Sequence, residues 1–302
     1  MTISRRDFII RTGLLSSAAA FLPFSRLLAT DSTNFTTIRR NVGIYTNRGG
    51  TIGWMVNKDA SVVIDSQYAE TAADCLEGMK SKRDATIDAL INTHHHGDHT
   101  GGNLVFRPEV KKILAHENVP KLQLQQLEMR GESSNDGIAN ATYSNEWRED
   151  FGDETVRLKY YGPGHTSGDS VITFEKANVV HMGDLMFNKV YPFIDKSSGA
   201  SVKNWIEILT KVVSDHDTDT IYIFGHGQPD LGMTGGMTAL LHMRSYLQAL
   251  TDHVSDGIEK GLAREEIVGI ATLQGFEDRI SFGPRLSLGA NLEVTFDEIS
   301  DQ

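Results

Sequence analysis

Residues 91 to 102 read INTHHHGDHTGG, with four histidines and an aspartate inside six consecutive positions. Imidazoles and carboxylates are ligands for divalent cations, and a cation so held acidifies water and polarises a carbonyl or phosphoryl group. In extended backbone, residues two apart project to the same side, so His94 and His96 can converge on one ion. Gly97 then permits a sharp bend that re-aims Asp98 and His99 toward a second position. An exposed His-rich turn is a poorer reading, because the loop follows the apolar run ALIN and precedes a glycine pair that opens a helix. Further ligands are expected at strand ends elsewhere: His165 in YYGPGHTSGDS, Asp184 in VVHMGDLMF and His226 in IYIFGHGQ. The remaining histidines, His95, His116, His181, His216, His242 and His253, are read as ordinary core or surface residues. With Cys75 the single cysteine, an internal disulfide and a Cys-rich zinc knuckle are excluded, so any metal falls to His and carboxylates.

The elements that must position these groups are legible from periodicity. TIGWMVNKDASVVIDS reads as a hairpin turning at Asn57-Lys58-Asp59-Ala60, and YAETAADCLEGMKSK as a helix with Ala72, Leu76 and Met79 on one face. TIDALINT returns to strand character before the histidines. KKILA predicts a strand, VPKLQLQQLEMR a helix, and the polar stretch from Gly131 to about Asn145 a surface loop bordering the site. Strands follow at TVRLKYYG, DSVITFE, ANVVHMG and TIYIF. SVKNWIEILTKVVS carries Val202, Trp205, Ile206, Leu209, Val212 and Val213 on one helical stripe, and the long helix after Gly236 turns Leu240, Leu247, Leu250, Val254 and Ile258 inward. Strand groups alternating with helices give an α/β layered domain, with no linker dividing it.

The ordered series H-x-H-x-D-H, H, D, H, met by His94, His96, Asp98, His99, His165, Asp184 and His226, resembles the metallo-β-lactamase superfamily. Asp65, ending SVVID, matches the aspartate that precedes the motif in that superfamily. The resemblance covers nearly the whole chain beyond its N-terminal segment. It implies a four-layer αββα sandwich with the site at one edge of two facing sheets, and two divalent metal ions, most often zinc, with iron or manganese as alternatives. His94, His96 and His165 would hold the first ion, Asp98, His99 and His226 the second, and Asp184 would bridge them. The implied reaction is hydrolysis by a metal-bridging hydroxide, with Asp98 orienting it and returning a proton to the leaving group. Asp65 is cast as a partner of a ligand histidine.

The subfamilies divide over the substrate. The β-lactamases with a cysteine ligand carry Cys where Asp184 stands and a drug-gripping lysine three residues on, where this chain has Phe187; Lys189 is out of register. GASVKNW, with Trp205, resembles the matching stretch of those enzymes, but IDKSSGA holds no clear counterpart of their substrate-binding asparagine. The lactonases place a tyrosine at the position of Phe187. GDLMF resembles the GDTLF of glyoxalase II type thioesterases, yet the tail after His226 shows no obvious basic glutathione grip. The expectation is an exported binuclear hydrolase, β-lactamase-like, acting on a lactam, lactone or ester. Its rivals are a glyoxalase II type thioesterase, a mononuclear iron persulfide dioxygenase and a non-catalytic metal-binding protein.

Charge and the N-terminus narrow the partners. The chain of 302 residues has a net charge of -11; Arg5, Arg6, Arg11 and Arg26 against Asp7 give residues 1–29 a charge of +3 and leave -14 on the rest. So acidic a body should repel nucleic acid and anionic membrane. SRRDFII followed by GLLSSAAAFLPF resembles a twin-arginine export signal, with Arg5 and Arg6 as the pair and cleavage expected after Ala29. A signal over 1–29, a single domain over 30–302, a periplasmic address, a small-molecule substrate and no stable membrane association after cleavage follow as expectations.

Overall fold

The computed structural model describes residues 34–132 and 134–301. The expected twin-arginine signal therefore lies outside the described residues. Residues Asn34–Gln302 cluster as one compact unit.

Two sheets form the centre. In the first, β1 (Phe35–Arg39), β2 (Val42–Tyr45), β3 (Ile52–Val56), β4 (Ser61–Ile64), β5 (Ala89–Ile91), β6 (Ile113–His116) and β7 (Ala141–Tyr143) lie side by side in chain order. The second runs β15 (Thr234–Gly235), β13 (Ile221–Ile223), β11 (Val179–His181), β10 (Val171–Phe174), β9 (Glu154–Lys159) and β8 (Glu146–Phe151). A short parallel pair, β12 (Phe187–Asn188) with β14 (His226–Gly227), joins the segments that carry Asp184 and His226.

Alternation along each strand builds four layers, because successive side chains leave opposite faces of a sheet. Val62, Ile64, Ala89, Ile91 and Leu114 meet Leu158, Ile172, Phe174 and Ile223 between the sheets. The intervening residues Val63, Leu90 and Ile113 point outward, where Ala72, Cys75 and Met79 of helix α1 (Ala69–Lys82) cover them. On the far side Val180 and Tyr222 lie under two helices introduced below. The expected αββα sandwich is borne out, as is the hairpin: Met55 pairs with Val62 across a turn in which Asn57 Oδ1 accepts from the N–H groups of Asp59 (2.9 Å) and Ala60 (2.7 Å).

Two one-turn helices, α2 (Gly97–Thr100) and α3 (Asn103–Phe106), follow β5, and α4 (Asn118–Arg130) follows β6. The stretch after Gly131, expected to be a loop throughout, contains β7, paired parallel with β6. Three residues are too few to display a period, and the strand forms because an open sheet edge is there to receive it. The cleft wall is supplied by α4, whose Leu122, Gln125 and Met129 line it, while the cleft lining includes no described residue of 131–145.

Helix α5 (Val202–Asp215) begins at Ser201, whose side chain accepts from Asn204 N, and buries Val202, Trp205, Ile208, Leu209 and Val212. The long helix α6 (Met237–Glu259) buries Leu240, Leu247, Leu250 and Val254. Ile258, expected inward, is 39% exposed, because the last turn packs through Gly257 against Ile267 instead. The chain closes with α7 (Arg264–Val268) and α8 (Leu288–Ser300). No described helix is long and apolar enough to cross a membrane.

Trp205 ties this helical layer to the site. It is fully buried and donates Nε1–H to Leu185 O at 3.0 Å, one residue past Asp184. Trp205→Ala is expected to cost about 3–5 kcal/mol through the cavity and the orphaned carbonyl. A urea titration reads this; a loss under about 1 kcal/mol would deny the indole its structural role.

Candidate metal centre

All seven residues of the motif series meet at one edge of the two sheets. His94, His96 and His165 approach through His94 Nε2 to His96 Nδ1 (3.1 Å) and His165 Nε2 to His96 Nδ1 (2.9 Å). Asp98, His99 and His226 form a second group, with His226 Nε2 at 3.1 Å from Asp98 Oδ2 and 3.3 Å from His99 Nε2. Asp184 stands between the groups: Oδ1 lies 2.9 Å from His99 Nε2, and Oδ2 lies 3.3 Å from His226 Nε2 and 3.6 Å from His165 Nε2.

The outward hydrogen bonds assign each ring its tautomer. Thr93 donates its hydroxyl to Asp65 Oδ2 (2.7 Å), so it accepts from His94 Nδ1 (3.0 Å). His165 donates Nδ1–H to Phe193 O (2.7 Å), His96 donates Nε2–H to Asp195 Oδ2 (2.9 Å), and His99 donates Nδ1–H to Asp65 Oδ2 (2.7 Å). His94, His96 and His165 thus turn a bare lone pair inward, and His99 turns its Nε2 toward Asp184. Burial pushes His94 well below its ordinary range and His165 down to about 4, so neither gains a second proton near neutrality. Three lone pairs at such separations repel unless a cation lies among them, and ligands about 2.0–2.1 Å from one tetrahedral ion stand about 3.3 Å apart.

The second group reaches the same result from charge. Burial alone would lower His99 and His226, but Asp184 and Asp98 overrule it, holding His99 well above its usual range and His226 at about 9. Asp184 is held well below the carboxylate range, against its burial, by His226 and His99. An acid cluster that draws this much positive charge fits a divalent cation, and the oxygen and nitrogen donors suit Zn, Fe, Mn or Co. The residues present therefore fit two ions.

Local backbone explains why the groups hold still. Asp65 adopts φ +62, a left-handed conformation uncommon for a non-glycine residue, and accepts from Thr93 N (2.7 Å) as well as from Thr93 Oγ1 and His99. A Cβ on Gly50 would fall 2.1 Å from the His99 ring, so only glycine allows that strand end to close over the imidazole. Behind His165, Asp169 accepts from Gly164 N, Thr166 N and the Thr166 hydroxyl; burial pushes its carboxyl up to about 7 against those donors.

Two functional residues escaped the sequence reading. His95, taken as ordinary, is 1% exposed, lines the cleft and sits 3.1 Å from Ser198 Oγ through Nε2, grouped with His96 and Asp195. Asp195, which holds His96, comes from the very loop that lacked an asparagine; a lone carboxylate in IDKSSGA carries no periodic signal. The ordinary reading suits His181, whose Nε2 donates to Thr51 O (3.0 Å), and His253, which bonds Ile267 O (2.8 Å). Phe187 supplies neither a lysine nor a tyrosine function: it is buried, stacked on His226 at 5.3 Å, and braces that ring.

A sandwich of this layering with such a centre at its edge defines a family. The chain belongs to the metallo-beta-lactamase superfamily, whose model matches residues 45–226, ending on His226. A hydroxyacylglutathione hydrolase of Crocosphaera subtropica is 29% identical over 132 residues, 43% of this chain and 44% of that one, so the chain spans under half of that relative's length. Metallo-beta-lactamase IND-1 of Chryseobacterium indologenes is 23% identical over 217 residues, covering 68% of this chain and 87% of the relative. The solved metallo-beta-lactamase from Pontibacter korlensis superposes with a TM-score of 0.59 at 19% identity, over 71% of this chain and 98% of that one, a likeness of fold.

Proposed function

We propose that the protein is an exported binuclear hydrolase, zinc-dependent, that cleaves a small carbonyl substrate: a lactam, a lactone or an ester. The observation that carries this reading is the completeness of both ligand groups, with the outward nitrogens of His94, His96, His99 and His165 engaged by the Thr93 hydroxyl, Asp195, Asp65 and Phe193 O, so that the other nitrogen of each ring faces the cluster. A mononuclear iron oxygenase, with a two-His, one-Asp set, would leave His96, His99 and His226 without employment.

Two divalent cations held here by His94, His96 and His165, and by Asp98, His99 and His226, with Asp184 between, would bring a shared water toward neutrality and stabilise a developing oxyanion. The chain's own groups do the rest. Asp98 is the carboxylate whose side chain, 26% exposed, reaches the cleft, and its pairing with His226 and His99 lowers it to about 2 despite burial. It accepts a hydrogen bond from the attacking water and returns the proton to the departing group. Asp65, Asp195 and Phe193 O fix the ring orientations so that nothing reorganises during the reaction.

Export is the reading of Arg5 and Arg6 with the apolar run behind them, placing the domain in the periplasm. The hydroxyacylglutathione hydrolase relative favours a thioesterase as the second reading. A panel of β-lactams, lactones, aryl esters and thioesters, run with and without chelator, separates the two. Chelator-sensitive turnover of at least one of the first three is expected; turnover of thioesters alone would move the protein to the second reading, and none on the whole panel would remove the hydrolase.

A further inference from the structure

Over the metal centre opens a cleft of ≈ 1020 Å³, and its walls carry two guanidinium groups that no acid balances. Arg48 lies with its guanidinium carbon 4.7 Å from the Tyr68 ring centroid, and Arg285 lies 4.4 Å from that of Phe193. Both side chains are exposed, and among the described residues neither reaches a carboxylate within ion-pair distance.

Their positions flank the centre. Arg48 is two residues from Gly50, whose N–H is donated to Asp98 O at 3.0 Å, on the side of the second ligand group. Arg285 rests on Phe193, the residue whose carbonyl holds His165 and whose ring is 5.5 Å from His96, on the side of the first. The cleft lining also exposes large apolar side chains: Met129 is 80% exposed and Phe282 54% exposed. Glu128 is the one acid lining the cleft beyond the carboxylates of the centre and its supporting loop.

A guanidinium stacked on a ring face keeps its N–H edge free and held in plane, the geometry that receives a carboxylate in two parallel hydrogen bonds. On a body as acidic as this one, two unbalanced arginines beside the site discriminate, because the rest of the surface repels the same anion.

We propose that Arg48 and Arg285 select the substrate: an ester or amide with an apolar acyl or aryl body and a carboxylate remote from the scissile carbonyl. This rests on the hydrolase reading for the identity of the reacting bond, while the recognition itself does not. The tail, which in sequence showed no basic grip, delivers one through Arg285.

The test compares mono-4-nitrophenyl adipate with its methyl ester in the full chain, and in Arg48→Ala, Arg285→Ala and the double variant. Wild type is expected to prefer the anionic ester in kcat/KM, each arginine contributing about tenfold, and the preference should shrink in high salt. A merely structural role would lower both esters alike and leave the ratio unmoved. Calorimetry with 4-phenylbutanesulfonate against methyl 4-phenylbutyl sulfone reads the same preference without turnover. If neither ester is hydrolysed but the sulfonate preference is present and is lost in the double variant, recognition stands and the hydrolase reading fails. Equal use of both esters by wild type, or a preference unchanged in the double variant, overturns the proposal.

Discussion

Asp98→Asn is expected to lower kcat by about 10²–10⁴ while the protein stays folded, and His165→Ala to abolish turnover together with metal at the first group. The asparagine keeps the shape of Asp98 but cannot accept and return a proton. Its folding cost is small, because Asp98 lies on the cleft and its side-chain partner is His226, not a core group. His165 is different. It is fully buried, with Nδ1–H on Phe193 O and Nε2 turned to His96, so alanine removes one of the three nitrogens that define the first group. Far-ultraviolet circular dichroism and steady-state kinetics on both variants check this; turnover retained in both would sink the mechanism.

The second large effect is predicted for a residue that touches no ion. Asp65→Asn should weaken metal binding at both groups by about 10–100-fold, although the side chain barely changes size. Asp65 Oδ1 accepts from Thr93 N, whereas Oδ2 accepts from both the Thr93 hydroxyl and His99 Nδ1. An asparagine keeps its oxygen toward Thr93 N and presents an amide N–H₂ where Oδ2 was. His99 must then accept at Nδ1, moving its own proton to Nε2, the face turned to Asp184. Thr93, now accepting from the amide, turns its hydroxyl proton to His94 Nδ1 and inverts that ring as well. One substitution thereby reverses a lone pair in each group. Competition with a chelating dye measures the affinities; wild-type values in the asparagine variant would show that Asp65 does not set the tautomers.

The sequence made the layers and the seven-residue series legible because both are written in spacing. Short apolar, β-branched runs buried on both faces name the strands, and His94, His96, Asp98 and His99 share one loop whose bend is marked by Gly97. His165, Asp184 and His226 each follow an apolar strand, which places them at a sheet edge before any contact is known. What stayed hidden depends on tertiary meeting. Asp195 reaches His96 across 99 residues of chain, and Arg285 lines the cleft with its guanidinium against the Phe193 ring. His95 looked ordinary because its neighbours at two-residue spacing took the ligand roles, leaving no pattern that included it. The β7 strand, with three residues, borrows its order from β6 and carries little of its own.

The central claim is that both ligand groups hold metal. Elemental analysis of the purified protein, with metal per chain set beside hydrolysis before and after chelation, addresses it most directly. Two divalent ions per chain, lost with activity on chelation and restored with it, is the predicted result. A single iron per chain with no hydrolysis would contradict it, removing His99 and His226 from metal binding and moving the protein to oxygen chemistry.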